Sequence, residues 1–331
     1  MVADTSFPPA HRGADGTRLA LAHDRGKSSH GIGSITPGVQ AGCLVGLEAK
    51  TMRNPVIAIL AQGAMGAGIA ARLSAHGVRV LTCVEGRSPA SAARAAAAGM
   101  EAVPEAALAE ADAFLSILPP DQASATAERL APLFAAARVP PLYVDCNAIS
   151  PETMQRIATL LGAQGLRVAD AGIIGGPPRE GYAGPVIYAS GPEAPGLVTL
   201  LADRGLDLRV VEGPIGAASA LKMSYAGITK GLVAIGSAMM LAATRAGAAD
   251  ALRAELAASQ PALSAWFARM VPSMYAKAYR WSGEMEEIAD FTREDDSASA
   301  IYRAAATFYA RLADPSGDAE ITALRNFLAP R

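Results

Sequence analysis

Lys222 has the setting that most invites chemistry. It lies in Gly213-Pro-Ile-Gly-Ala-Ala-Ser-Ala-Leu-Lys222-Met-Ser-Tyr-Ala-Gly-Ile-Thr-Lys230, an apolar pattern of helical period. An ammonium surrounded by apolar groups loses hydration, so its pKa falls and it can exchange a proton near neutral pH. Tyr225, Ala226 and Thr229 follow at i+3, i+4 and i+7, which makes Tyr225 and Thr229 candidates to line the same pocket. Histidine is poorly placed for this work, because His11, His23, His30 and His76 all precede residue 77. A serine–histidine triad and a histidine base in the second half are therefore poor fits. Cys43, Cys83 and Cys146 lack metal-ligand spacing, and no metal is expected.

A second constellation starts at Val56-Ile-Ala-Ile-Leu and breaks into Ala61-Gln62-Gly63-Ala64-Met65-Gly66 before an apolar helical pattern resumes. A buried strand that ends in a glycine turn points the unpaired N–H groups and positive end of the next helix at a pyrophosphate. Gly63 and Gly66 fit the dinucleotide fingerprint, with Ala64 and Met65 between them, while Ala61 stands where its first glycine belongs. The next apolar run, 78–84, leads into Glu85-Gly-Arg87-Ser88. An acidic residue there binds the ribose hydroxyls of NAD, whereas an arginine pairs with the 2′-phosphate of NADP. Arg87 and Ser88 together make a phosphate clamp, so NADP is the expected cofactor and NAD the alternative through Glu85.

These residues need a frame, and the pattern supplies one. Buried strands are expected at 112–118, 142–145, 167–170 and 185–190, with helical segments between the earlier ones. That alternation predicts an α/β fold, a Rossmann-type doubly wound parallel sheet with ligands at the carboxyl ends of its strands. Leu118, Pro119, Pro120, Asp121 and Asn147 all fall at such ends. Ser150-Pro151 opens a helix as N-cap and first residue. The loop through Gly175 and Gly176 can turn backbone N–H groups towards a carboxylate or the nicotinamide side of a pocket. From Gly216 the pattern is helical to the end, which predicts an all-α domain entered by a long helix. The expected domains are a disordered extension at 1–51, a nucleotide-binding domain at 52–213 and a helical substrate and dimerisation domain at 214–331. Residues 1–51 are rich in Pro, Gly and Ser without periodicity, and Met52 is the expected natural start.

The chain has 331 residues, 51% hydrophobic and 18% charged, with a net charge of −2. It has no broad basic field, so nucleic acid is not an expected partner. Residues 225–243 are apolar enough for a membrane span but include Lys230 and three glycines, which favours a buried helix and no membrane. An odd cysteine count argues against a disulfide framework and for a reducing cytoplasm.

Met65-Gly66, Asp170-Ala171 before Gly175-Gly176, and Lys222 at the mouth of a long helix resemble the β-hydroxyacid dehydrogenase superfamily. That superfamily includes 3-hydroxyisobutyrate and 6-phosphogluconate dehydrogenases and the related imine reductases. Lys222-Met-Ser-Tyr-Ala-Gly-Ile-Thr-Lys-Gly231 and Glu284-Met-Glu-Glu-Ile288 are most similar to its branch with a C-terminal domain of unknown function. The resemblance implies hydride transfer between NAD(P) and a small β-hydroxyacid or its carbonyl partner, with Lys222 as general acid and base. It also implies Gly63, Met65 and Gly66 at the pyrophosphate, Pro119 and Asn147 at the nicotinamide, Gly175 and Gly176 at the substrate carboxylate, and a homodimer packed through the long helix. Three departures stand out. Ile174 replaces a carboxylate-binding serine, Tyr225 and Ala226 replace paired asparagines, and the later Lys-Asp pair is missing around Arg269-Met270. The alternatives are an imine reductase-like activity and a dinucleotide-binding regulator without catalysis.

Overall fold

The computed structural model describes residues 54–329 apart from 61, 180 and 183. The expectations for residues 1–51, Met52 and Ala61 lie outside the described residues.

Eight strands form one sheet: β1 (Val56–Leu60), β2 (Arg79–Thr82), β3 (Met100–Ala102), β4 (Ala113–Ser116), β5 (Leu142–Asp145), β6 (Val168–Ile174), β7 (Val186–Ser190) and β8 (Asp207–Val210). Their order is β3-β2-β1-β4-β5-β6-β7-β8, and every pairing is parallel except β6 with β7. The chain leaves β1 towards β2 and later returns to β4 on the other side, so the order reverses between β1 and β4. That switch point opens a crevice at the carboxyl ends of the two strands.

Helices α1 (Ala64–Ala75), α2 (Pro89–Ala97), α3 (Ala123–Ala135), α4 (Pro151–Gly162) and α5 (Ala194–Leu200) belong to this half. Two apolar clusters pack on the sheet, one around Ile57, Ile69, Leu73 and Val144, the other around Leu81, Phe114, Phe134 and Tyr143. The central strands are apolar on both sides because helices cover both faces. Ser150 caps α4 as its sequence predicts, accepting from the Thr153 N–H at 3.3 Å, with Pro151 in the first turn.

Helix α6 (Ala217–Arg245) runs 29 residues and is followed by α7 (Ala249–Ser259), α8 (Pro261–Met274), α9 (Ala278–Phe291), α10 (Asp296–Ala313) and α11 (Asp318–Leu328). A separate core around Met223, Val233, Phe267, Trp281, Met285 and Tyr309 holds these helices together. Helix α6 is long and apolar enough to cross a membrane, yet its inner side carries this core. Two strands, β3 and β8, have no counterpart in the sequence reading. They are the sheet's outermost strands, three and four residues long, and mostly exposed, so they lack the apolar run that marks a buried strand.

Candidate active site

The first turn of α1 begins directly after β1. Gly63 is its N-cap, no side chain caps the turn, and no acidic residue lies within it. A Cβ built on Gly63 would meet nothing within 4 Å, so the approach to these amides is open. Gln62 is buried and braces the turn from below, its Nε2 donating to Thr82 Oγ1 at 2.6 Å and to the Cys83 carbonyl at 2.7 Å. Arg94 of α2 adds a third tie, Nε to the Gln62 carbonyl at 2.9 Å. An open helix N-terminus on a braced turn fits a dinucleotide pyrophosphate. Ala64 and Met65 enter this turn and Gly66 is buried within it. Gly68 lets Pro178 press against α1, since a Cβ there would lie 2.9 Å from Pro178 Cδ. The Gly-Gly-Pro-Pro loop thereby reaches α1 close to its opening turn, a contact between distant segments that the sequence does not announce.

After β2, Glu85, Arg87 and Ser88 are exposed. Ser88 is the N-cap of α2, accepting from the Ser91 N–H at 3.3 Å. Its Oγ also lies 3.1 Å from Ser91 Oγ, which in turn accepts from Arg94 Nη2 at 3.0 Å. Arg94 therefore joins the polar cluster at this helix end, a residue the sequence reading did not single out.

A row of buried polar residues crosses the carboxyl side of the sheet. Ser116, Asp145, Asp170 and Ser190 are direct neighbours in register on β4, β5, β6 and β7, each at most 1% exposed. The two central members fix different parts of the site. Asp145 accepts from the Asn147 N–H and from Asn147 Nδ2, both at 2.9 Å. Asn147 Nδ2 also reaches Ser116 Oγ at 2.9 Å, while its Oδ1 accepts from the Leu118 N–H at 2.5 Å. Leu118 and Asn147 are thus locked together, with Pro119 exposed beside them. Burial raises the Asp145 carboxyl to about 7, against the lowering effect of its two bonds from Asn147.

Asp170 holds the catalytic candidate's helix. Its Oδ2 accepts from Gly216 N–H at 2.9 Å, Ser219 N–H at 3.0 Å and Ser190 Oγ at 3.0 Å, and its Oδ1 accepts from Ser219 Oγ at 2.7 Å. Gly216, the N-cap of α6, has φ 103° and no side chain to cap the helix, so a carboxylate from β6 does that work across 46 residues of sequence. Gly172 allows α6 to lie close on β6, because a Cβ there would sit 2.7 Å from the Ala218 carbonyl oxygen.

This arrangement delivers Lys222 to the carboxyl end of β5. The half-buried side chain donates from Nζ to the Asn147 carbonyl at 3.1 Å and to the Cys146 carbonyl at 3.3 Å. Burial lowers its pKa to about 8, opposed by the negative charges of Asp145 and Asp170 and helped by the positive charge of Arg280. Such an amine holds its proton only slightly above neutrality and can give or take one.

The remaining predicted residues are more scattered. Gly175 has φ 130° and, like Gly176, lies in an exposed loop after β6. Ile174 ends β6 opposite Val186. Tyr225 is 52% exposed on the outward side of α6, whereas Thr229 is half-buried like Lys222 and its hydroxyl donates to the Tyr225 carbonyl at 2.8 Å. Among the described residues no His, Cys, Asp and Glu group could hold a metal ion.

The chain is similar to known proteins in domain sequence and in fold. The NAD binding domain of 6-phosphogluconate dehydrogenase matches residues 56–195, and a domain of unknown function, DUF1932, matches residues 243–312. A conserved protein of unknown function, described as structurally similar to 3-hydroxyacid dehydrogenases, is 27% identical with a TM-score of 0.64, covering 83% of this chain and 100% of its own. Mycobacterium tuberculosis 3-hydroxyisobutyrate dehydrogenase, solved with L-serine, is 22% identical with a TM-score of 0.64, covering 82% of this chain and 99% of that one. A Streptomyces aurantiacus imine reductase shares the fold at 18% identity and a TM-score of 0.51, covering 83% of this chain and 100% of that one. No curated protein matches the sequence significantly.

Proposed function

We propose that this chain, which joins the NAD-binding domain of the 6-phosphogluconate dehydrogenase type to a DUF1932 domain, is an oxidoreductase that uses Lys222 to move the substrate proton. The observation that carries the reading is the Lys222 amine, lowered to about 8 and hydrogen-bonded at the carboxyl end of β5 beside the braced Asn147–Leu118 pair. When bound, the nicotinamide gives or takes the hydride. In oxidation the neutral amine accepts the hydroxyl proton of a small β-hydroxyacid as the C–H pair leaves as hydride and the carbonyl forms. In reduction the ammonium returns that proton to the carbonyl oxygen. Asp145 and Asp170 position the amine through Asn147 and the start of α6.

NADP is the preferred cofactor in this reading, supported by Arg87, Ser88 and Ser91 at the start of α2 and by Arg94, which bonds back to Ser91 from its last turn. Gly175 and Gly176 offer backbone donors to the substrate. The working unit is a homodimer. Leu221, Tyr225, Ile228, Leu232, Ile235 and Met239 are 36–69% exposed and recur at alternating steps of four and three along α6. That spacing is a coiled-coil seam of roughly 27 Å at ~1.5 Å per residue, the geometry for a second copy of the same helix. Buried free thiols at Cys83 and Cys146 support a reducing, cytoplasmic setting.

Imine reduction is the second reading, favoured by Ile174, which brings no side-chain donor for a carboxylate. Parallel fluorescence titrations with NADPH and NADH, followed by rates on β-hydroxyacids and cyclic imines, test the assignment. Tighter NADPH binding and turnover of hydroxyacids support it. Turnover of imines alone moves the chain to the second reading, and binding of neither nucleotide overturns both.

A further inference from the structure

Arg94 belongs to the last turn of α2, yet its guanidinium works at the helix's other end. A helical side chain leans back towards the N-terminus, and this one reaches the first turn. There its Nη2 donates to Ser91 Oγ at 3.0 Å, and Ser91 Oγ lies 3.1 Å from the hydroxyl of the N-cap, Ser88. Its Nε crosses to the glycine turn and donates to the Gln62 carbonyl at 2.9 Å. The Gln62 side chain is tied in turn to Thr82 and Cys83 at the end of β2. One cation is thus fastened between the turn after β1 and the start of α2.

That cation is free to meet a ligand. Arg94 forms no ion pair among the described residues, and its Nη1 makes no hydrogen bond there. No acidic residue lies in the first turn of α2. The space beside it is open, because a Cβ built on Gly63 or on Gly86 would meet nothing within 4 Å. Arg87 differs. It is exposed and its side chain makes no hydrogen bond among the described residues, so it must surrender rotamer freedom to hold a ligand, whereas Arg94 is already held.

We infer that Arg94 reads the 2′-phosphate of NADP and thereby sets the preference over NAD, with Ser88 and Ser91 as accompanying hydroxyl donors. The inference rests on the NADP reading above and moves the selective contact from Arg87 to Arg94. In a dinucleotide-binding sheet the adenosine ribose lies at the end of β2 beside the glycine turn, which is where the Arg94 guanidinium is fastened. A guanidinium gives a phosphate two parallel charge-assisted N–H···O bonds. NAD carries only a hydroxyl at that position and gains neither.

The test uses the full chain and two fragments that lack the nicotinamide, adenosine 2′,5′-bisphosphate and adenosine 5′-monophosphate, with Kd read by calorimetry. The wild type binds the bisphosphate more tightly. Arg94→Gln lowers that preference roughly 10–100-fold while Kd for the monophosphate stays within about threefold. Arg94→Lys keeps part of the preference, since the charge returns without the planar fork, and Arg87→Gln keeps most of it. Equal weakening of both fragments in Arg94→Gln would make the residue a brace of the turn alone and overturn the inference. A preference lost in Arg87→Gln and kept in Arg94→Gln would overturn it too, and both results leave the NADP reading intact. A wild type without preference for the bisphosphate overturns the inference and the NADP reading together.

Discussion

Gly172→Ala is the smallest change that reaches Lys222 without touching its amine. The new Cβ would lie 2.7 Å from the Ala218 carbonyl oxygen and 3.2 Å from Lys222 Cβ. Backbone on one side and sheet on the other leave no flexible group to yield, so α6 must lift by about 0.7 Å to restore an ordinary contact of 3.4 Å. Overpacking of this kind costs ~1–3 kcal/mol. In a chain of this size each kcal/mol lowers Tm by roughly 1.5 °C, so the melt should shift by a few degrees without abolishing the fold. The lift also draws Lys222 Nζ away from the Cys146 and Asn147 carbonyls. A misplacement of ~1 Å can cost ~100-fold in rate, and a fall in kcat of about 10–100-fold is expected at saturating cofactor. NADPH affinity should hold, because α1 is untouched. A lowered melt with wild-type kcat would show that the rate does not depend on where α6 sets the lysine, and would refute the argument.

Further predictions follow from the same contacts. Asp170→Ala strands the donors of Gly216, Ser219 and Ser190, and should cost on the order of 3–5 kcal/mol in a denaturant melt, with Asp170→Asn losing less than half of that. Equal stability of both variants and wild type would remove the proposed cap. With Lys222 at about 8, the oxidation rate should climb with pH up to about 8 and then level, because the neutral amine accepts the proton. Reduction should fall above the same point, since it needs the ammonium, and profiles flat across this range would contradict the assignment. In sedimentation the wild type should run as the proposed dimer, and Ile228→Glu, which places a charge in the middle of the exposed α6 seam, should run as monomer. A dimer unchanged by that substitution would place the interface elsewhere.

Much of the frame is legible in the sequence because its signals are local. The run Val56–Leu60 followed by Gly63 marks a strand and its turn, and Ser150-Pro151 marks a helix start from two adjacent residues. Leu142–Asp145 is buried on both faces, and its Leu-Tyr-Val stretch reads as the apolar run of a central parallel strand. Lys222 stands out because a charge inside an apolar helix is expensive unless it has a use.

What is missed depends on contacts between distant segments. Asp170 reads as the end of a strand, and only the register of β5, β6 and β7 shows it as the cap of α6, 46 residues later. Gly172 looks like an interruption in a strand until α6 lies across it. The antiparallel turn from β6 to β7 is hidden because a buried strand has the same pattern in either direction. Tyr225 shows the limit of helical spacing. It is within a turn of Lys222, but Lys222 lies at the border of the buried face and Tyr225 falls on the open side. Spacing gives relative angle along a helix, and only packing says where the pocket is.

The most direct test of the central claim is Lys222→Ala, with turnover and nucleotide affinity measured on the same preparation. The predicted result is a fall in kcat of roughly 100–10,000-fold, with the NADPH dissociation constant within about threefold of wild type. Turnover equal to wild type would contradict the assignment of Lys222 as the group that moves the proton.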